Sequence, residues 1–593
     1  MAPPCEVEGA CHDRTDPGGT FRPNFPPSQQ KGQQFQPLQI TYRNPLVHDL
    51  PDTPIQLFQR LVPIALVESW ANATNEAARS FIKENTAAQS RKHRWRDTSA
   101  AEIYVFLAVV ICLENHQGRA IETFWKTPDD NNLDSNPFYF FTRHMSLARF
   151  QLLFRYLRIF DDTTLLREAA HIPAKLVASK SYKQVNEWSR HIQEEMGKLY
   201  TPGTMVAVDE CMQAFTGRSD LKTHIPNKPT PDGIKIWVIA QDGIFLRWLW
   251  HEPEKGAIGL TPSTQLQGVR ITPTQRVVVS LLQLLPPASY HIFLDNLFSS
   301  PELFKYLYDN GIGASGTARI NCGIHEELVT AKKKPDISRQ WGWTMQIPTQ
   351  CGKVNQIAWQ DNDMVLFLST VHTATDLIST LLRRPRNVNT ASKKAARKAF
   401  LNAPTAKLDI PRCIDEYNHH MGAVDIGDQC RSSYSWKHRW RRARWQPLGW
   451  GFLLGTVLVN CYKLHSMYGT WKGSHFAWRT CLATQLFETF SPEALSRCRS
   501  RTGLFIDHRN TQIPVQSHVR GSRGKRAACK VCQSKRIKAN RNPLAPCDVN
   551  SVSKVGRRVG TGCLTCDVAL CSEGPCWDIF HTSKLGNAYE VDS

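Results

Sequence analysis

Residues 290–301 read Tyr290-His291-Ile292-Phe293-Leu294-Asp295-Asn296-Leu297-Phe298-Ser299-Ser300-Pro301. The apolar run Tyr290 to Leu294 predicts a compact strand ending at Asp295. Ser300 is a helix-capping type, Pro301 suits the first helical position, and Gly311 stands just past the expected end of that helix. A strand followed at once by a helix is the unit of an α/β core. Outward from this stretch the same pattern continues. Met205 to Val208 predicts a short strand ending at Asp209, and Ile234–Ala240 and Ile244–Trp250 predict a hairpin about Gln241-Asp242-Gly243. Val277–Leu285 predicts a helix closed by Pro286-Pro287, strands resume at Gln356–Trp359 and Met364–Ser369, and an apolar helix is expected from about Leu448 to Lys463.

The chain has 593 residues, 41% hydrophobic and 10% aromatic with 17 Trp, enough for a sizeable core and too apolar for a mostly disordered chain. No collagen-like or solenoid period is present. The longest apolar run, Ile103 to Leu113, is too short to cross a bilayer, and the first ten residues have neither a basic nor an apolar signal region. A soluble intracellular protein without membrane association is therefore expected. With 73 Lys and Arg against 52 Asp and Glu, the formal charge is +21, which points to a polyanionic partner, nucleic acid before others.

Composition divides the chain into segments. Residues 1–54, rich in Pro, Gln, Gly and Asn, are expected to form a disordered arm. Residues 55–200 carry helical patterns, including the face Phe150, Leu153, Phe154, Leu157, Phe160 and a helix over Tyr182–Leu199. They suit a bundle for DNA docking or subunit contact, or one that is simply structural. The α/β core is expected over 201–318 and 351–430, with 319–350, polar and carrying Lys332-Lys333-Lys334, as an insertion. A second helical segment covers 431–510, and a cysteine-rich domain covers 511–593.

Asp209 and Asp295 are each expected at a strand's carboxyl end, where open α/β sheets place ligands, and Asp425, with Asp428 three residues on, at the start of a helix. Such acids can converge on a pair of Mg²⁺ ions about 3.5–4 Å apart, because hard oxygen ligands and substrate phosphates complete the metal's octahedron. Taken singly, an Asp at a strand end is more often a turn or cap residue. Asp242, Asp361 and Asp363 fall in expected turns and read as structural. Glu210 follows Asp209 in the same strand and should face the other way.

Three blocks carry more than spacing. They are Asp209-Glu210-Cys211-Met212-Gln213-Ala214-Phe215-Thr216-Gly217-Arg218, continuing through Lys222, Lys228, Gly233 and Lys235; Phe293 to Ser300; and Tyr417-Asn418 through Met421-Gly422-Ala423-Val424-Asp425-Ile426-Gly427-Asp428-Gln429. In order and approximate separation they resemble the signature of piggyBac-type transposases, from about His48 to the C-terminus and most strongly after Tyr200. The resemblance implies a ribonuclease-H-like catalytic core with an Asp-Asp-Asp triad. Asp209, Asp295 and Asp425 take the three catalytic places, Asp428 takes the family's nearby fourth acidic position, and all four are expected to serve the Mg²⁺ or Mn²⁺ ions. It further implies hydrolytic cutting of element ends, hairpin intermediates and insertion at TTAA. Ala423 stands where the family usually has Gly, which matters only if that backbone needs a positive φ.

Lys437, Arg439, Arg441, Arg442 and Arg444 interleave with Trp436, Trp440 and Trp445. Guanidiniums pair with phosphates and indoles stack on unpaired bases. The bland alternative is core Trp residues beside a solvated Arg face. Arg218, Lys222, Lys228 and Lys235 of the first block are further DNA-contact candidates. The acid-free run Arg383–Lys398 suits either a phosphate-contacting loop or a nuclear import signal.

Of 18 cysteines, seven fall between Cys529 and Cys576. Cys529-x-x-Cys532 and Cys563-x-x-Cys566, followed by Cys571, Cys576 and His581, have zinc-ligand spacing. With His518, for which Cys547 is an alternative, they make eight ligands, enough for two Zn²⁺ ions. This tail looks like the cross-brace zinc module that ends piggyBac-type transposases. Together these readings predict a nuclear, homodimeric DNA transposase acting on double-stranded element ends and target DNA. The alternative is a domesticated, non-catalytic derivative that binds DNA or chromatin.

Overall fold

The computed structural model describes residues 29–30, 34–84, 95–116, 120–126, 139–161, 180–226, 230–266, 268–334, 339–384, 397–401, 403–435, 445–491, 520–528, 558–563 and 568–569. The chain divides into two compact units, Met1–Ser491 and Pro492–Ser593.

The first unit is organised around an eleven-stranded sheet. Its centre consists of β1 (Met205–Ala214), β2 (Asp232–Gln241), β3 (Ile244–Glu252), β4 (His291–Leu294) and β5 (Gly313–Thr317), in the order β3-β2-β1-β4-β5. β1, β2 and β3 run antiparallel, while β4 is parallel to both β1 and β5. The β2–β3 hairpin turns at Asp242 and Gly243 with φ of 51° and 86°, the left-handed pair that a two-residue turn requires. β1 is longer than expected. It continues past Asp209 to Ala214 because β2 pairs with it from Ala207 to Ala214, whereas its parallel neighbour β4 stops at Leu294, opposite Val208.

Beyond β5 the sheet extends through β6 (Thr344–Pro348), β7 (Asn355–Gln360) and β8 (Met364–Ser369), in the spatial order β6-β7-β8-β5 with all three pairings antiparallel. The stretch 319–350, expected to be an insertion, thus supplies a strand of this same sheet and the helix Glu326–Lys333. A separate hairpin, β9 (Leu377–Arg383) with β10 (Thr405–Pro411), leads directly into the helices that carry the third sequence block.

Helices α1 (Pro54–Leu61), α2 (Ile64–Glu84), α3 (Ala100–Asn115), α4 (Leu147–Tyr156) and α5 (Lys180–Leu199) come from the helical N-terminal region. In the sheet region, α6 (Pro273–Gln283) and α7 (Pro301–Asp309) follow strands, and α7 is capped by Ser300 with Pro301 at its start. α8 (Arg412–His420) and α9 (Ala423–Ser432) follow β10. A π-helical turn, Pro447–Leu453, opens α10 (Leu454–Met467), and α11 is His475–Phe490.

Helices from both ends of this unit share one hydrophobic core with the sheet. Trp70 and Trp188 pack at 5.0 Å and Trp188 and Trp450 at 6.0 Å, so residues 262 positions apart meet in one aromatic cluster. α3 is apolar on nearly every side and buried along its length, which is why its sequence shows no amphipathic stripe. Among the described residues, no helix is long and apolar enough to cross a membrane. α4 ends at Tyr156, earlier than its apolar face suggested, and Leu157 and Phe160 stay buried beyond the helix.

Residues 34–53, placed by composition in a disordered arm, are hydrogen-bonded along the core. Leu38 N–H donates to Thr370 O at 2.8 Å and His48 N–H to Leu199 O at 2.9 Å. An extended segment that satisfies its backbone on other elements needs no periodicity of its own, so the sequence carries no sign of it. Residues 1–28 lie outside the described residues. The second unit contains an antiparallel three-stranded sheet of Arg520–Ala528, Arg558–Cys563 and Val568–Ala569.

Candidate active site

The pairing of Val208 with Leu294 places Asp209 and Asp295 side by side, where the parallel pair β1–β4 ends. Neighbouring strands lie about 4.8 Å apart, and in-register side chains share a face. Asp209 is therefore in mid-strand along its own chain, yet at the point where the sheet loses a strand. It is 9% exposed, and its Oδ1 accepts from the Glu210 N–H at 2.7 Å. Asp295 turns the chain out of β4, its Oδ1 accepting from the Leu297 N–H at 2.8 Å while Ser299 Oγ donates to its carbonyl at 2.9 Å.

α9 brings in the third acid. Asp425, Asp428 and Arg431 stand three residues apart and so lie near one face of the helix. On β1, Asp209, Cys211 and Gln213 share the face that α9 covers. Arg431 is buried and donates to Met212 O and Gly451 O, both at 3.2 Å, and to the Gln213 side chain. It holds Asp428 Oδ1 at 2.5 Å through Nη2 and 3.1 Å through Nε, and Cys211 Sγ donates to the same oxygen at 3.3 Å. With Arg431 against residues 211–213 and Asp428 against Cys211, one further helical turn carries Asp425, an exposed first-turn residue, toward Asp209.

Electrostatics register this convergence. Burial first, then the charges of Asp295, Glu210 and Asp425, push the Asp209 carboxyl up to about 7. Tyr417, on α8, feels the same three acids. Burial foremost, with Asp295, Asp209 and Asp425 adding, pushes its phenol up to about 12, and its hydroxyl is 3.4 Å from Thr317 Oγ1.

Glu210 lies on the opposite face, as alternation requires. Its carboxylate is 3.6 Å from Lys235 Nζ, which also sits 3.9 Å from the centre of the Trp237 ring. Lys235 is thus a shielded partner within the sheet rather than an exposed cation. Lys222 pairs with Asp232 at 2.9 Å, and Arg218 is exposed. Asp242 occupies the β2–β3 turn, and Asp361 accepts from Trp341 Nε1 at 3.0 Å. Ala423 opens α9 without a positive φ, so the missing glycine imposes no backbone strain.

Lys228, Lys437, Arg439, Arg441, Arg442 and Arg444 lie outside the described residues. Trp445, at the end of that basic run, is a core residue packed on Phe160 and Trp450 at 5.6 Å each. Of the zinc candidates, Cys563 closes the strand Arg558–Cys563. His518, Cys529, Cys532, Cys566, Cys571, Cys576 and His581 lie outside the described residues.

Reading the sequence missed Arg431 and Tyr417. The first was signalled by the spacing Asp425, Asp428, Arg431, and the second by its place at the head of the third block. It also missed a cluster of His291, His372 and Glu416, whose ligand-type atoms lie within 4.8 Å of one another. His291 opens β4, four residues before Asp295, which follows the strand's end.

Comparison with known proteins places this arrangement. A family model described as Transposase IS4 matches residues 53–462, which contain all four acids. The chain therefore belongs to this transposase family. Within it, the chain is similar to piggyBac-type members. The human piggyBac transposable element-derived protein 2 is 22% identical over 433 residues, 72% of this chain, and the match spans 64% of that relative's length, less than two thirds of it. In fold, the chain is similar to a piggyBac transposase solved in a synaptic complex with hairpin DNA. The TM-score is 0.55 at 20% identity, covering 88% of this chain and 95% of the solved one.

Proposed function

We propose that this protein is a DNA transposase that cleaves and rejoins phosphodiesters at divalent cations held by Asp209, Asp295 and Asp425. The strand order β3-β2-β1-β4-β5, with its antiparallel hairpins and parallel β4 and β5, supports reading the core as ribonuclease-H-like. The observation that carries the proposal is the Asp209 carboxyl, pushed up to about 7 beside Asp295 and Asp425. Clustered carboxylates that oppose one another's ionisation suit a hard divalent cation, Mg²⁺ or Mn²⁺, which takes oxygen donors and offsets their repulsion. When bound, such ions activate a water or 3′-hydroxyl and stabilise the leaving oxygen.

The chain's own residues prepare that chemistry. Asp295 is held in orientation by the Leu297 N–H. Arg431 fixes α9 against β1 and pairs with Asp428 beside the site, so Asp428 acts by positioning the helix that carries Asp425. Exposed Arg218, together with Lys228 and the run Lys437 to Arg444, is assigned to DNA phosphates. The cysteine-rich tail is assigned two Zn²⁺ ions and recognition of element ends, on the spacing of its ligands. TTAA targeting, a homodimeric assembly and nuclear action on double-stranded DNA complete the reading, and these rest on the family resemblance.

The relative's description as transposable element-derived favours one second reading, a DNA-binding derivative that no longer cuts. Cleavage of DNA carrying the element's own ends decides between them. Asp295→Asn keeps an oxygen for the Leu297 N–H and removes the charge. It is expected to lower Mg²⁺-dependent nicking by on the order of 10³-fold or more while leaving DNA binding in gel shifts nearly unchanged. Wild-type protein that binds ends but never nicks them would establish the derivative, and nicking retained by the Asn variant would remove Asp295 from the chemistry.

A further inference from the structure

We propose that His291, His372 and Glu416 form a transition-metal site, with Zn²⁺ as its ion, distinct from the three aspartates and from the cysteine-rich tail. His291 projects from β4, His372 from the turn after β8, and Glu416 from α8. Their ligand-type atoms lie within 4.8 Å of one another. Glu416 Oε2 is 2.8 Å from His372 Nε2 and 3.5 Å from His291 Nδ1. Ligands held tetrahedrally at 2.0–2.1 Å from zinc stand about 3.3 Å apart, between those two separations.

The remaining ring nitrogens are anchored as ligating histidines require. His291 Nε2 is 2.9 Å from Ser315 Oγ, and His372 Nδ1 is 3.5 Å from Asp376 Oδ2, itself held by Arg412 Nε at 2.9 Å. Such outer contacts set the tautomer so that the inner nitrogen presents its lone pair to a metal. His291 is fully buried, and its Nδ1, aimed at Glu416, has no hydrogen-bond partner. A buried polar atom left so is costly in a protein that merely packs a histidine there, and a cation between it, His372 and Glu416 satisfies it. Two imidazoles with one carboxylate suit zinc rather than Mg²⁺, whose preference is for oxygen. The partly exposed Glu416 side chain leaves room for water as a fourth ligand. The ion would tie β4, which leads into Asp295, to α8, which leads into Asp425.

The test uses the full chain equilibrated with Zn²⁺ and freed of unbound metal, with zinc counted by mass spectrometry and its ligands read by zinc-edge X-ray absorption. Glu416→Gln keeps the side chain's shape, and His291→Asn removes the buried ligand. Each is expected to lose one zinc per chain and to lower the share of nitrogen and oxygen neighbours at about 2.0–2.1 Å relative to sulfur neighbours at about 2.3 Å, which are retained. Circular dichroism confirms that the variants are folded. Unchanged zinc counts in folded Glu416→Gln and His291→Asn would overturn the proposal. So would loss of the same ion in Asp295→Asn, which would assign it to the aspartates. Because a variant can fail to fold, anomalous diffraction of wild-type crystals at the zinc edge provides an independent arm. A peak among the three side chains supports the site, and none at saturating zinc overturns it.

Discussion

At the residue scale, the decisive fact is that Asp209 carries its charge at a cost. Its carboxyl ordinarily titrates near 3.8, and in the fold, burial foremost and the neighbouring acids raise this to about 7. Between those values the folded protein holds a proton that the unfolded chain has released, so metal-free stability falls as pH rises from about 4 to 7. The full cost, at most on the order of 4 kcal/mol, is present above pH 7 and absent below about 4. Thermal melts in chelator should therefore show the wild type losing stability between about pH 4 and 7, and Asp209→Asn should be the more stable protein at pH 8. Added Mg²⁺ should raise the wild-type melting temperature at pH 8 more than that of the variant. A variant as unstable as the wild type at pH 8 would show that Asp209 does not feel its neighbours.

At the element scale, α9 must lie close to the sheet for Asp425 to approach Asp209, and Gly427 permits it. A Cβ there would stand 2.4 Å from Phe245 Cε1 and 2.8 Å from the Gly243 carbonyl. Gly427→Ala is accordingly expected to cost about 1–3 kcal/mol in denaturant titrations and to slow nicking by displacing Asp425. An unchanged unfolding midpoint would mean that the helix does not need this approach. A second device joins α3 to α11, where Glu114 and Arg479, both nearly inaccessible, meet at 2.6 Å. Glu114→Ala leaves a buried guanidinium without its carboxylate and should destabilise by about 3–5 kcal/mol, whereas replacing both residues with apolar ones should cost far less. Denaturation of the single and double variants distinguishes these outcomes.

At the scale of the whole molecule, the division at Ser491 separates the sheet and its helices from the cysteine-rich unit. A chain ending at Ser491 is expected to retain its far-ultraviolet circular dichroism and a cooperative melt, because the aromatic cluster of Trp70, Trp188 and Trp450 lies wholly within it. It should also bind end DNA more weakly, with a shallower dependence of affinity on salt, as basic groups of the tail are removed. Anisotropy titrations at several salt concentrations measure both. An unchanged salt slope would remove the tail from DNA contact.

Much of this was legible in one dimension. Ser300, Pro301 and Asp242-Gly243 act through local backbone chemistry, and the helix cap and the hairpin turn stand where those residues required. The three blocks likewise contain the acids Asp209, Asp295 and Asp425, whose charges the fold couples. What adjacency in sequence cannot express is which side chains meet across elements. Asp209 looked like a strand terminus because the apolar run stops there, yet β1 continues, held by β2. Lys235 reads as a cation for DNA until Glu210 and Trp237 are seen against it. The pairing of Arg431 with Asp428 beneath β1, and the meeting of His291, His372 and Glu416, depend on sheet register and helix docking, which bring together groups up to more than 200 residues apart. Local propensity is a property of neighbours along the chain, whereas burial and charge coupling belong to neighbours in space, and only the folded structure decides those.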